Sequence, residues 1–377
     1  MNKKVVIGVV AILAIVVIAT LYFGQSITGQ FALSSSNKDE YVIGVTLPLT
    51  GELANYGTDS RQSIELAVTE INSNGGINGS KIKLVFEDDQ CDKTSAVTNV
   101  EKLSNDGIKL VLGPFCSGAS LAVAPLSEKK DLFFISGSPT NPAISDYNMF
   151  FRTIPSDTYQ GKFAAEYAYG VMGKKTVAIS SVQTDYAYGV KEAFKKRFVE
   201  LGGKVLVELT HPEKETDLRN EIAKIKDSSP EFVYLAPYII DGGSFLKQAK
   251  ESGISVPILS PESVEDPKLI EIAQGSAEGL LFTKPKNNQS KEFSLAYKKA
   301  YGVEPGAYGA FYFDATNVLA NAMKTCSSNT KCIAKALVDA PVYSGVSGSI
   351  DFDEHGDVIG AEYVMKTVKD GNFAEYK

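Results

Sequence analysis

Residues 110–118 read Leu110-Val111-Leu112-Gly113-Pro114-Phe115-Cys116-Ser117-Gly118, and residues 133–140 read Phe133-Phe134-Ile135-Ser136-Gly137-Ser138-Pro139-Thr140. Each stretch is a short apolar run that breaks into small hydroxyl residues just before a helical pattern. The two corners lie one βα unit apart, so a parallel sheet would place them side by side at its carboxyl edge, where open α/β sheets bind ligands. Hydroxyls and free backbone N–H groups at helix starts suit an anion. The two corners therefore predict a carboxylate-binding site.

Strands and helices alternate on both sides of these corners, a pattern typical of α/β proteins with mostly parallel sheets. A break near residues 152–158 separates two runs of the alternation, so we predict two similar lobes. Residues 283–286 are predicted to form a linker, and two long helices are predicted at residues 291–301 and 308–324. The other predicted strands cover residues 41–47, 81–87, 176–181, 204–209, 232–235, 256–259, 279–282, 348–352 and 361–367.

Length and charge narrow the class of protein. A chain of 377 residues is long for one core and predicts at least two domains. Its formal net charge is −7, and no run of Lys and Arg opposes that balance. We therefore predict no nucleic-acid partner.

The N-terminus carries an apolar segment. Lys3 and Lys4 precede an uncharged run at residues 5–23, which as a helix would span roughly 28 Å, close to the thickness of a bilayer core. Lysines before such a run predict a cytoplasmic N-terminus and an external remainder. A retained transmembrane anchor and a cleaved signal peptide are both open interpretations of residues 1–23. Residues 24–40 are predicted to form a flexible tether.

The four cysteines fit an extracytoplasmic location. Cys91 and Cys116 follow neighbouring predicted strands, and Cys326 and Cys332 flank a polar loop. Four cysteines allow three pairings, and these positions favour Cys91–Cys116 and Cys326–Cys332. A zinc site is the alternative, although the sequence lacks a CxxC pair with nearby histidines.

Catalytic and nucleotide-binding motifs are missing from the sequence. No GxGxxG follows the first strand, and the Gly173-Lys174-Lys175-Thr176 stretch fails the P-loop spacing. The two histidines, His211 and His355, do not lie near a predicted sheet edge that bears a Ser or Cys nucleophile. We therefore predict no enzymatic activity, no catalytic residue and no cofactor.

Two acidic features each have two interpretations. Residues 351–362 match a calcium-binding EF-hand loop at positions 1, 3, 6 and 12, but position 5 is His355 and the flanks resemble strands. A tight β-turn is therefore favoured, with a calcium loop as the alternative. Glu262 lies just past the predicted strand at residues 256–259, where it either meets a ligand cation or is an ordinary exposed carboxylate.

Several further stretches, taken together and in order, are highly specific. They begin with Gly44-Val45-Thr46-Leu47-Pro48-Leu49-Thr50-Gly51 and continue at residues 71–79, 88–92, 276–287 and 352–357. Through them the chain resembles the periplasmic branched-chain amino acid-binding proteins of ABC importers, over about residues 41–370.

The resemblance implies a type I Venus flytrap, with two Rossmann-like lobes joined by a multi-strand hinge. Lobe 1 would comprise residues 41–157 and 286–357. Lobe 2 would comprise residues 158–285, and residues 358–377 would return to it.

The resemblance also implies roles for ten residues. The ligand carboxylate would meet the hydroxyl and N–H of Ser117 and the N–H of Thr140. The ligand ammonium would meet the carbonyl of Ser138, the hydroxyl of Thr140 and the carboxylate of Glu262. Cys91–Cys116 would be the disulfide of the family. The ligand side chain would be surrounded by Tyr56, Phe115, Tyr186, Tyr238, Ser263 and Asp314.

Some of these positions depart from the leucine pocket of the family. With Phe115 and Asp314 at these positions, the side chain of the ligand is either aliphatic, as in the family, or it is polar, longer or an amide. For Asp314, a capping role within its own helix is the alternative.

The function implied by the resemblance is capture of an amino acid and delivery to ABC permease subunits. The expected protein is a monomer on the extracytoplasmic face, held by its N-terminal helix, or secreted or periplasmic if that segment is cleaved. A ligand-sensing receptor module of the same fold is the alternative function.

Overall fold

The computed structural model describes residues 40–286 and 290–376. The predicted anchor at residues 1–23, and the tether up to residue 39, lie outside this range. Within the described ranges, no helix is both long enough and apolar enough to cross a membrane.

The first sheet contains both corners. Its strands run in the order β2-β1-β3-β4-β5, and every neighbouring pair is parallel. Leu112 of β3 lies beside Ile135 of β4, so the two corners lie side by side at the carboxyl edge, as predicted. The strands are β1 Tyr41–Leu47, β2 Ile82–Asp88, β3 Leu110–Leu112, β4 Phe133–Ser136 and β5 Phe150–Arg152.

The second sheet repeats this arrangement. Its order is β14-β13-β10-β9-β8-β6-β7, in which the segment from β10 to β7 is parallel and β13 and β14 are antiparallel additions. The order 7-6-8-9-10 matches 2-1-3-4-5 with each number raised by five. The strand order therefore reverses at equivalent places in the two sheets, between β1 and β3 and between β6 and β8. The strands are β6 Thr176–Val182, β7 Lys204–His211, β8 Phe232–Ala236, β9 Ile258–Ser260, β10 Leu281–Pro285, β13 Tyr363–Lys369 and β14 Asn372–Glu375.

Helices connect the parallel strands, and several begin at side chains that cap them. Asp92, Ser156 and Thr184 each accept a hydrogen bond from a backbone N–H in the first turn of the helix that follows, which satisfies a donor that the helix leaves free. The helices are α1 Ala54–Ser73, α2 Lys93–Asn105, α3 Ser117–Lys130, α4 Asp157–Glu166, α5 Asp185–Glu200, α6 Arg219–Ser228, α7 Ile239–Glu251, α8 Pro267–Ala273, α9 Lys291–Tyr301, α10 Gly309–Cys326 and α11 Thr330–Val338.

The prediction of a linker at residues 283–286 is wrong. Thr283, Lys284 and Pro285 belong to β10 and pair antiparallel with β13. The Lys-Pro-Lys composition resembles a loop, but Lys284 forms an ion pair with Glu265, and Thr283 is fully buried. Pairing with a strand some 80 residues later in the chain therefore overrides the local pattern.

The carboxyl-terminal region contains a smaller strand pair than predicted. Tyr343–Ser344 (β11) pairs antiparallel with Ser349–Ile350 (β12), so the predicted strand at residues 348–352 is reduced to two residues. Phe352 forms only an isolated bridge with Val358 across the turn at residues 353–357.

Both predicted disulfides are present, Cys91–Cys116 and Cys326–Cys332. The first joins the loop after β2 to the corner after β3. It therefore fixes the N-terminus of α3, which carries Ser117, to a neighbouring strand connection.

Candidate functional site

A cavity lies where the carboxyl edges of the two sheets meet. The space between its lining atoms amounts to about 380 Å³, part of which is open to solvent. Eight of the ten residues predicted to meet a ligand line it, and Leu53, Cys116 and Tyr308 complete the wall. The eight are Tyr56, Phe115, Ser117, Ser138, Tyr186, Tyr238, Glu262 and Ser263.

The first corner turns tightly into α3. Gly113 has a φ of +104°, and a Cβ at this position would lie 2.1 Å from the carbonyl oxygen of Thr46 on β1. Glycine is therefore required for β3 to pass β1 and turn into the cavity. Ser117 follows as the first residue of α3 and is almost fully buried.

Ser117 connects the two corners. Its Oγ accepts hydrogen bonds from the N–H groups of Thr140 and Asn141, each at 3.3 Å. The Ser138 hydroxyl donates to the carbonyl of Phe115, which ties the corners together a second time. Because Ser117 Oγ accepts both N–H groups, its own proton remains available to an anion, and the N-terminus of α3 adds a favourable field.

Thr140 does not line the cavity wall. It lies directly behind Ser117, and its buried hydroxyl neighbours the carboxyl group of Asp157. The structure thus places Thr140 next to the predicted ligand residues, between Ser117 and Asp157.

Glu262 supplies negative charge on the opposite wall. Gln160 Nε2 donates to its carboxylate and is itself held by Thr283 Oγ1 at 3.0 Å, while the Tyr186 hydroxyl is 3.4 Å from Glu262 Oε1. Burial raises the pKa of Glu262, although the hydrogen bond from Gln160 and the charge of Lys284 oppose the rise. Glu262 is only 4% exposed, so the interpretation of an ordinary exposed carboxylate is wrong. Within the described ranges, Glu262 has no ion-pair partner.

Aromatic rings form most of the remaining wall. Tyr56 and Phe115 are stacked with centroids 6.0 Å apart, and Tyr308 meets both rings edge-on at 5.3 and 5.0 Å. Tyr186 and Tyr238 stack at 5.8 Å on the other side. Tyr308 was not among the predicted ligand residues, because it precedes the largely buried helix α10 and carries no motif of its own.

Asp314 is not part of this site, so its predicted role as a ligand residue needs correction. Its carboxylate accepts hydrogen bonds from the N–H groups of Val346 (2.9 Å) and Ser347 (2.7 Å) and from the Ser347 hydroxyl at 2.5 Å. All of these donors lie in the loop between β11 and β12. Asp314 therefore holds this loop against α10 and points away from the cavity.

The resemblance to an EF-hand loop has a structural explanation. Asp353 Oδ1 accepts the N–H groups of His355 and Asp357, which closes a tight turn, and Asp357 forms an ion pair with the buried Arg152. No set of three or more potential metal ligands lies together in the part of the chain that the structure describes.

The His211 ring lies between two carboxylates. Its Nδ1 lies 3.2 Å from Glu221 Oε2, and its Nε2 lies 3.2 Å from Asp241 Oδ2. The same Asp241 oxygen accepts the N–H of Tyr238 at 3.0 Å. His211 thus supports the start of α7, where Tyr238 enters the cavity.

Two sheets with matching strand orders and a cavity at their carboxyl edges form the type I periplasmic binding protein fold. The chain belongs to the periplasmic binding protein family, which it matches over residues 40–372. The resemblance found in the sequence is therefore confirmed.

Individual relatives are similar to this chain over nearly its whole length. The leucine-, isoleucine-, valine-, threonine- and alanine-binding protein of Pseudomonas aeruginosa is 30% identical over 96% of this chain and 98% of its own. The structure of the leucine-binding protein LivK from Thermotoga maritima matches with a TM-score of 0.83 and 28% identity, over 89% of this chain and 97% of that one. The structure of LivJ from Streptococcus pneumoniae in complex with isoleucine matches with a TM-score of 0.80 and 25% identity, over 90% of this chain and 100% of that one.

Proposed function

We propose that this protein is an extracytoplasmic solute-binding protein that captures a branched-chain or related small amino acid and delivers it to an ABC transporter permease. One observation carries the proposal: the same cavity is lined by the Ser117 hydroxyl at a helix N-terminus and by the buried carboxylate of Glu262, which has no ion-pair partner in the part of the chain that the structure describes. The relatives named for leucine, isoleucine and valine binding support the choice of ligand.

The two walls are complementary to a zwitterion. The α-carboxylate would accept the Ser117 hydroxyl proton at the N-terminus of α3, and the α-ammonium would donate to Glu262. Charge-assisted hydrogen bonds of this kind are stronger than neutral ones. A ligand that lacks either charge would leave a buried group unpaired, so the site selects amino acids over amines and simple acids.

The side chain of the ligand would occupy the aromatic part of the cavity. Tyr56, Phe115 and Tyr308 present ring faces and edges there, and Leu53 adds an aliphatic surface. Burial of an apolar side chain stabilises a complex by about 25 cal/mol per Å². A branched aliphatic side chain gains from such a wall, which supports a ligand of this type.

We assign residues 41–157 and 286–357 to lobe 1, and residues 158–285 with 358–377 to lobe 2. Contacts between these segments support a closed arrangement. Lys93 Nζ lies 2.6 Å from Asp185 Oδ2, Asn141 Nδ2 donates to the Asp185 carbonyl at 2.6 Å, and Ile240 N–H donates to Glu52 at 3.2 Å. The ligand would shift the population towards this closed form by its own preference for it.

The N-terminal segment completes the proposal. Retention of residues 1–23 would tether a monomeric binding protein to the outer face of the membrane, and cleavage would release it. The apolar run after Lys3 and Lys4 supports either route to an extracytoplasmic location.

Isothermal titration calorimetry with the common amino acids tests the proposed function. We expect binding of at least one α-amino acid, and we expect Glu262→Gln to weaken it by about 30- to 5,000-fold, because loss of one partner of a buried charge pair costs about 2–5 kcal/mol. Glu354→Gln is the matched control, since the Glu354 side chain is 86% exposed and lies in the turn at residues 353–357. Absence of binding for every amino acid at millimolar concentration would reject the function. Unchanged affinity in Glu262→Gln would remove Glu262 from the site.

A further inference from the structure

The start of helix α5 lies against residues of the other lobe. Asp185, the first residue of α5, belongs to lobe 2 as assigned above, and its carbonyl accepts Asn141 Nδ2 of lobe 1 at 2.6 Å. The Asp185 carboxylate oxygen Oδ2 lies 2.6 Å from Lys93 Nζ, also of lobe 1. One residue of lobe 2 is therefore bound to lobe 1 both through its backbone and through its side chain.

Two glycines, one from each lobe, make this close approach possible. Gly189 lies one turn after Asp185 on α5 and is buried. A Cβ on Gly189 would lie 2.8 Å from Asn141 Nδ2 and 3.1 Å from Pro142 Cδ. A Cβ on Gly118 of α3 would lie 2.7 Å from Asp185 Oδ2. Because alanine is favoured over glycine inside helices, the missing side chain of Gly189 serves the contact with lobe 1 and not the stability of α5.

Asn141 also contacts the residue proposed to bind the ligand carboxylate. Its N–H donates to Ser117 Oγ at 3.3 Å, and its carbonyl accepts Arg152 Nη1 at 2.8 Å. Its Oδ1 accepts the N–H of Ala143 at 2.9 Å, so Nδ2 is the amide atom that faces the Asp185 carbonyl. The backbone of Asn141 is thus fixed to the Ser117 corner, while its side chain is bound to lobe 2.

The contacts between the lobes at this place differ in strength. The side chains of Lys93 and Asp185 are 62% and 33% exposed, and ion pairs of this kind contribute little. Asn141 and Gly189 are buried, so their hydrogen bond and close packing contribute most of the interaction. Asn141, Asp185 and Gly189, here called the latch, are not among the described residues that line the ligand cavity.

We propose that Asn141 is a positioning residue for closure of the lobes: through the latch it holds α5 against the ligand-binding corner. The inference rests on the proposed function and goes beyond it, since the latch stabilises the closed form without touching the ligand. A ligand closes the protein only by its preference for the closed form, so the latch adds the same free energy for every ligand. Loss of the latch would therefore weaken binding of all ligands by one factor and leave their order unchanged.

Gly189→Ala tests the latch at its tightest contact. The added Cβ would crowd Asn141 in the closed form, whereas alanine is favoured within α5 itself. We expect the affinities for L-leucine, L-isoleucine and L-valine, measured by calorimetry, to fall by one common factor of about 5 to 150. Gly170→Ala is the matched control, because Gly170 is exposed in the helical turn Tyr167–Val171 and a Cβ there would meet nothing within 4 Å.

A double-mutant cycle separates the latch from a local effect on α5. Asn141→Ala removes the amide that the new Cβ would crowd. Gly189→Ala should therefore weaken binding by a factor at least about threefold smaller in this background than in the parent protein. Urea unfolding of ligand-free Gly189→Ala should give a free energy of unfolding no lower than that of the parent protein, since residue 189 is helical.

The outcomes distinguish the latch from the proposed function. Equal affinities of Gly189→Ala and Gly170→Ala, additive effects in the cycle, or losses that differ among the amino acids by more than about tenfold would each overturn the latch and leave the proposed function standing. A lower stability of ligand-free Gly189→Ala would assign its effect to folding and would also overturn the latch. Failure of the parent protein to bind any of the three amino acids would instead reject the proposed function, together with the inference that rests on it.

Discussion

The buried ion pair between Arg152 and Asp357 connects the second corner to the carboxyl-terminal turn at residues 353–357. Arg152 is fully buried, and Asp357 Oδ1 accepts its Nε at 2.6 Å while Oδ2 accepts its Nη2 at 3.0 Å. The Ser145 hydroxyl donates to the same carboxylate at 2.6 Å. Arg152 Nη1 donates to the carbonyl of Asn141 at 2.8 Å, one residue after Thr140. We predict that Asp357→Ala destabilises the fold strongly.

The magnitude follows from these contacts. The substitution removes the two hydrogen bonds of the ion pair together with the one from Ser145, and it leaves the Arg152 charge in the interior. Removal of one partner of a buried ion pair costs about 3–5 kcal/mol, and this is the loss that we expect. Asp339→Ala is the control, because Asp339 pairs with Lys335 at 2.6 Å but their side chains are 60% and 77% exposed. Exposed pairs contribute about 0–1 kcal/mol.

Urea unfolding, followed by far-ultraviolet circular dichroism, measures both variants. The free energy of unfolding should fall by about 3–5 kcal/mol in Asp357→Ala and by less than about 1 kcal/mol in Asp339→Ala. Because Arg152 also holds the carbonyl beside Thr140, Asp357→Ala should weaken ligand binding too. Equal destabilisation by the two substitutions would refute the reasoning, since burial would then not determine the contribution of the pair.

Two further predictions concern the site and its support. Ser117→Ala removes the acceptor for the N–H of Thr140 and a donor to the ligand carboxylate. The amino-acid affinity measured by calorimetry should therefore fall roughly 10- to 100-fold. An unchanged affinity would exclude Ser117 from the site. Burial lowers the pKa of His211, but hydrogen bonds to Asp241 and Glu221 raise it to about 9. The charge of His211 therefore stabilises the fold fully below about pH 6.5, and this stabilisation is lost as the pH rises through 9. The difference in urea midpoint between the parent protein and His211→Gln should therefore be larger at pH 6 than at pH 10, and equal differences would contradict this account.

The corners were predictable because their signal is local. An apolar run that ends in Gly-Pro or Ser-Gly and then in hydroxyl residues identifies both the strand and the start of the helix. The parallel pairing of β3 with β4 then brings the ends together, as for every adjacent βα unit. Ser117 and Ser138 were predicted on this basis, with the family resemblance supplying the chemistry.

Tyr308 lines the cavity although it was not predicted to, and Asp314 was predicted to line it but does not. These two errors have one cause. Both lie at or within α10, in which fourteen of eighteen residues are buried. A helix buried on nearly every side has no polar stripe, so its sequence does not show which face meets the cavity. Tyr308 reaches the aromatic wall, whereas Asp314, less than two turns later, faces the loop at residues 345–347.

Asp157 shows a different limit of sequence reasoning. An acidic residue in the first turn of a helix usually stabilises the helix dipole, so Ser156-Asp157 predicts no more than a capped helix start. Its distinction arises from its burial and from the two elements that bring Thr140 and Glu262 to it, over separations of 17 and 105 residues. The buried acidic groups of this region thus come from distant segments of the chain, and only the hydroxyl corner was visible as a local pattern.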